Sequence, residues 1–188
     1  RQIPLLLIPI GRSNTLAQSL GLNSVREALR ALKENKIQHF RLGKVGGRFF
    51  LGSLQIAPRK NFMRKSIKRP GAIHRLLNVL GLAEESQLDA AAAALILDDQ
   101  LKFKGRVVSI MIRLENKKDE KRGLTVQVIT KNDEGEMVES LLKGSYLVLK
   151  AELNLPVVSG NDIVATTPVT IKALDKSMPM LVGISFEG

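Results

Sequence analysis

The sequence predicts a mostly β protein of the α+β class, in which an antiparallel β-sandwich-like domain follows a short βα unit of α/β type. Three observations predict it. From Ile37 onward the pattern has period two, with Ile37, His39 and Arg41 alternating with Gln38, Phe40 and Leu42. Further along, β-branched runs recur between short polar turns at Lys117–Gly123, Asn132–Gly135 and Ser159–Asp162, as in a sandwich or barrel. Before Ile37 the rule is different, because a nearly continuous apolar run gives way to turn residues and then to helical spacing.

Taken in order, Ile3–Ile10 reads as a strand buried on both faces of a parallel sheet, interrupted by Pro4 and Pro9. Gly11-Arg12-Ser13-Asn14 supplies a turn, and Leu16, Ala17 and Leu20 mark a helix that Gly21 stops. Ser24 opens a second helix, where Glu27 completes a capping box and Val25, Ala28, Leu29 and Leu32 form the expected buried stripe. Gly46-Gly47 then turns the strand from Ile37 into another over Arg48–Ile56. Two helical segments are expected at Ala72–Leu80 and Glu84–Leu97, the second containing the run Ala90–Ala94. Strands resume at Gly105–Glu115, Leu124–Thr130, Ser145–Leu153, Ile163–Leu174 and Met180–Phe186. The expected organisation is a βα unit over residues 1–36 and a β-rich domain over 37–188, with a helical insertion over 72–97.

Composition narrows the classes. A chain of 188 residues fills one domain, or a small domain plus a fragment. Its 44% apolar and 25% charged residues are those of a folded globular protein. No apolar run nears the roughly 20 residues of a spanning helix, so a soluble protein is expected. The run at Ile3 lacks the cleavage pattern of a signal peptide, and Arg1 reads as the start of an excised piece. With no cysteine, disulfides and thiolate metal sites are excluded, and a reducing, cytoplasmic setting is expected. The net charge of +11 and pI near 10.1 point to an anionic partner: a membrane surface, a phosphorylated substrate or nucleic acid. Nucleic acid is the less favoured, since aromatics are 4% of the chain and there is no Trp to stack on bases.

The most informative segment is Ile8-Pro9-Ile10-Gly11-Arg12-Ser13-Asn14-Thr15-Leu16-Ala17-Gln18-Ser19-Leu20-Gly21. A glycine after a strand lets backbone N–H groups and the next helix N-terminus approach a phosphate, and Ser13 and Asn14 add side-chain hydrogen bonds. The same residues also make an ordinary βα turn with Asn14 as N-cap. The segment resembles "P-L-G-T-x-N-D-x-A-x-x-L-G" of the diacylglycerol and sphingosine kinase family, relatives of the NAD kinases, with Pro9, Gly11, Asn14, Ala17, Leu20 and Gly21 in register. Farther on, Leu42-Gly43-Lys44-Val45, Gly47-Arg48 and Phe50-Leu51 resemble the family's "D-L-G-K-V-N-G-R-Y-F-L-N".

This resemblance implies a remnant of an α/β nucleotide-binding domain over 1–36, with Gly11, Arg12, Ser13 and Asn14 bordering the nucleotide. It implies the C-terminal part of an ATP- and Mg2+-dependent lipid kinase that phosphorylates a lipid hydroxyl. Glu187-Gly188 stands near where the family carries "D-G-E", so Glu187 is the candidate base. Two departures matter: Arg12 replaces the usual Thr, and Thr15 replaces an Asp whose charge it cannot supply. The family's glycine-rich "G-G-D-G-T" phosphate loop does not occur in these residues, and phosphoryl transfer is mostly positioning and electrostatics. Inactivity of the isolated chain is therefore expected, and a catalytically lapsed membrane- or partner-binding module is the alternative. The stretch Arg59, Lys60, Arg64, Lys65, Lys68, Arg69 carries six cations and no acid, and is the candidate contact with an anionic membrane. Gly160-Asn161-Asp162 and Asn132–Gly135 read as turns, and no metal site is expected.

Overall fold

The computed structural model describes residues 3–10, 14–59, 89–115, 123–132 and 134–186. Two helices, α1 (Thr15–Ser19) and α2 (Val25–Glu34), precede the strands β1 (Ile37–Val45), β2 (Arg48–Phe50), β3 (Ser53–Ile56), β4 (Ala91–Leu97), β5 (Gln100–Leu114) and β6 (Leu124–Lys131). They continue with β7 (Met137–Gly144), β8 (Tyr146–Ala151), β9 (Pro156–Ser159), β10 (Asp162–Thr166) and β11 (Val169–Leu181). All pair antiparallel in one sheet of order β10-β9-β3-β5-β4-β8-β11-β1-β2, with β6 and β7 branching from β5. The mostly β, sandwich-like fold expected from the sequence is the fold observed.

Two long strands make the sheet double back. β5 pairs with β4 through its first half and with β3 and β6 through its second, while β11 pairs with β8 near its start and with β1 from Ile171 to its end, apart from an irregularity at residues 174–176. The path nearly closes: a Cβ on Gly46, at the β1–β2 turn, would meet Ala165 of β10 at 3.2 Å. Inside lie Leu54, Ile56, Leu95, Ile110, Ile112 and Leu147, each fully buried. A second core joins Ala17, Leu20, Leu22, Ala28 and Ala31 of the helical unit to Met180 and Val182. Each large buried side chain contributes about 1.5–3 kcal/mol.

Several expectations are corrected. The segment Glu84–Leu97 was expected to be helical, but Ala91–Leu97 is strand β4, and the remainder of that segment before residue 89, like Ala72–Leu80, lies outside the described residues. Ala91, Ala93, Leu95 and Leu97 face the core while Ala92, Ala94 and Ile96 face outward, and pairing with β5 on one side and β8 on the other overrides the helical preference of alanine. Ile3–Ile10 is not a doubly buried strand: only Leu5 bridges Met180, in parallel, and Ile3 and Ile10 are exposed. Pro4 and Pro9 have no N–H to extend that ladder. On α2 the buried residues are Ala28 and Ala31, while Val25, Leu29 and Leu32 are exposed, because the small alanines let the helix lie close. The strand Arg48–Ile56 is split at Gly52, whose φ of +76 suits glycine. The last expected strand stops at Leu181 as the end of β11, and β7 and β9 were not anticipated.

Capping and turns follow the sequence reading. Ser24 accepts from Glu27 N at 3.2 Å, the first half of a capping box, while Glu27 accepts at 2.6 Å from the N–H of Asn23, one residue before the N-cap. The β4–β5 turn places both Asp98 and Asp99 in the left-handed region. Its Asp98 Oδ1 accepts from Ser145 N at 2.9 Å, Ser145 Oγ at 2.9 Å and Tyr146 N at 3.0 Å, tying this hairpin to the start of β8. Replacing Asp98 by Ala removes a charged acceptor and leaves a β-carbon at positive φ, so a loss of about 2–3 kcal/mol is expected. Asp98→Asn, which keeps one carbonyl oxygen, should cost about half as much. Urea unfolding of both variants checks this, and equal stabilities would contradict it.

Candidate functional site

The loop singled out in the sequence leads into α1. Gly11, Arg12 and Ser13 lie outside the described residues, and Asn14 occupies the N-cap position. Its carbonyl accepts from Gln18 N at 2.8 Å, and its side chain makes no capping hydrogen bond. Thr15 follows in the first turn, exposed to solvent. A Cβ built on Gly160 would lie 3.3 Å from Thr15 Oγ1, which sets the first turn of α1 against the β9–β10 turn. Gly160-Asn161-Asp162 is a turn, as its composition indicated, with Gly160 at φ +60. That it meets α1 was not legible, because nothing local joins residues 15 and 160.

The other end of α1 holds the C-terminal segment. Gly21, at φ +71, stops the helix, donating to Gln18 O at 3.0 Å while Leu22 N donates to Ala17 O at 2.9 Å. Gly183 N donates to Leu20 O at 2.8 Å, and a Cβ on Gly183 would fall 1.9 Å from Gly21 O, so this approach needs two glycines. Beyond it, Lys36 Nζ donates to Phe186 O at 3.2 Å and the Phe186 ring packs edge-on against Phe40, centroids 5.7 Å apart. Glu187, the candidate base, lies outside the described residues, yet the backbone leading to it is pinned in this way. At ~1.5 Å per helical residue, Thr15 and Gly21 are about 9 Å apart. A shallow recess of about 270 Å³ between Gly21, Glu27, Arg30, Ile184 and Ser185 adjoins the segment.

Of the proposed membrane-contact residues, Arg59 is described and exposed, while Lys60, Arg64, Lys65, Lys68 and Arg69 lie outside the described residues. Pro58 beside it lines a separate recess of about 270 Å³ with Asp89, Arg106, Lys131 and Leu153. Among the described residues no helix is long and apolar enough to cross a membrane.

Substitution tests the glycine contact. Gly183→Ala should cost about 2–3 kcal/mol by overpacking against backbone that cannot move aside. Gly47→Ala, where a Cβ meets open space and only the positive φ of +86 resists it, should cost about 1 kcal/mol. Thermal melts of the two variants compare them, and a Gly183→Ala protein as stable as wild type would remove the contact from the account.

No protein-family model and no curated protein matches the chain. Solved structures do. A putative diacylglycerol kinase from Bacillus anthracis str. Sterne superimposes with a TM-score of 0.67 at 16% identity, over 98% of this chain and 71% of that one. A diacylglycerol kinase structure from the same organism gives 0.63 at 14% identity, covering 96% and 67% respectively. An NAD kinase from Archaeoglobus fulgidus, in complex with ATP, gives 0.51 at 12% identity, covering 99% and 71%. The chain has the fold shared by these diacylglycerol kinases and the NAD kinase, in keeping with the resemblance read from the sequence.

Proposed function

We propose that this chain is the larger part of an ATP-dependent kinase for a lipid hydroxyl, with the Gly11–Asn14 loop on the nucleotide and the segment after Gly183 on the substrate side. The observation that carries it is the double engagement of α1. The helix that follows the nucleotide-loop motif also anchors the backbone leading to Glu187. Positioning of phosphate and acceptor is most of what such catalysis requires. Asn14, whose amide does not cap α1, would donate to a phosphate oxygen or hold the loop that does. Glu187 would take the proton of the lipid hydroxyl. Among the described residues no three His, Cys, Asp or Glu side chains cluster. Mg2+ would be carried by the nucleotide's own phosphates together with one or two carboxylates, the usual arrangement for this ion.

Thr15 favours a second reading. Where the family carries an Asp, this chain has a neutral hydroxyl set against the Gly160 turn. A lapsed kinase retained as a membrane- or partner-binding module would tolerate that loss.

Transfer of labelled phosphate from ATP to diacylglycerol separates the readings. The 188-residue chain alone should transfer none, because it contains no glycine-rich phosphate loop. Transfer should appear when any residues encoded upstream of Arg1 are restored, and continued inactivity then supports the module. In the active form, Asn14→Ser should lower turnover or ATP affinity about 10- to 100-fold, through the loss of one charge-assisted hydrogen bond. Full activity in Asn14→Ser would remove the nucleotide role of this side chain.

A further inference from the structure

Directly opposed residues on neighbouring strands share a face of the sheet, so the registers dictate what the outer face presents. Lys104, Ala94 and Lys150 form one row across β5, β4 and β8. Two residues along, the next row is Leu101, Ile96, Val148 and Thr170. Beyond it come Tyr146, Lys172, Lys44 and Phe49. On the far side Arg106 faces Ala92, whose other neighbour, just past the end of β8, is Glu152. The face is thus an apolar band between flanks in which five cations outnumber the one carboxylate, with Phe49 67% and Leu101 62% exposed.

Lys44 stands directly opposite Lys172, a like-charge pairing that weakens a sheet. Among the described residues, Lys44, Lys172, Lys150, Lys104 and Arg106 make no side-chain hydrogen bond or ion pair. We propose that this outer face of β5, β4, β8, β11 and β1 docks on an anionic lipid membrane. The complementarity is twofold: lysine ammonium groups reach headgroup phosphates while Phe49, Leu101 and the band between them enter the headgroup–acyl boundary. Nucleic acid fits less well. The face is a sheet surface with no helix to enter a groove, and four of its five cations are lysines, which lack the forked grip of arginine on phosphate.

This surface is distinct from Arg59–Arg69 and does not rest on the kinase reading, so the test omits nucleotide. Co-sedimentation of the 188-residue chain is measured with phosphatidylcholine vesicles, with and without phosphatidylserine. Lys44→Ser with Lys172→Ser should weaken binding to the anionic vesicles about 25-fold at low salt, about fivefold per cation. Arg26→Ser with Lys33→Ser, which removes the same charge from exposed positions of α2, should change it little. Phe49→Ser with Leu101→Ser should weaken the binding that survives high salt. Melting temperatures no lower than that of the wild type show that the variants fold, and both lysines are exposed. Equal losses in the two charge variants, or equal binding to neutral and anionic vesicles, would overturn the proposal. So would displacement of anionic vesicles by duplex RNA, or dependence on Arg59–Arg69 with the face variant binding normally.

Discussion

The continuity of β11 is the constraint on which the rest of the molecule depends. Its 13 residues run without a break from the sandwich to the helical unit. Val169, Ile171 and Ala173 at its start lie in the large core, while Met180 and the following Val182 lie in the small one. β1 pairs with it along almost the whole length and shares the division. Gly43 and Val45 accompany the large core, whereas Phe40, an odd number of residues away and so on the opposite face, packs with the helices. The irregularity between Arg41 and Gly43 marks the change. One ribbon of two strands is thus covered on one face at one end and on the other face at the other.

That geometry explains how a helix of five residues can be ordered. An isolated helix of this length does not form, since nucleation costs more than so few hydrogen bonds return. α1 is held from outside: Ala17 and Leu20 are buried beneath it, Gly183 donates to its last turn, and the Gly160 turn abuts its first. Sequence-distant segments therefore meet on a small rigid body that none of them could build alone.

Much of the fold was legible because local chemistry dictated it. Ser24 before Glu27, the paired glycines at 46 and 47, Gly21 after a helical run and the turn at 159–162 are local signals, and the chain follows them. The failures share a cause. Ala91–Leu97 carries no local instruction against a helix, and only its two strand neighbours make it β. Val25, Leu29 and Leu32 match a buried stripe as well as Ala28 and Ala31 do, and the choice falls to whichever face lets the backbones come closer. For the candidate site, Gly11–Asn14 was visible as a motif, whereas the meeting of Thr15 with Gly160 and of Gly21 with Gly183 depends on how distant strands are brought together.

Pro58 and the residues Asp89, Ala90 and Ala91 line the same recess. The chain thus leaves the sandwich after β3 and re-enters it before β4 at nearly one point, on the same flank of β5. Closing a loop between neighbouring points depends only weakly on its length, about 0.6 kcal/mol for each doubling. The registers of β3 and β4 therefore place only a weak demand on the length of chain that joins residue 59 to residue 89.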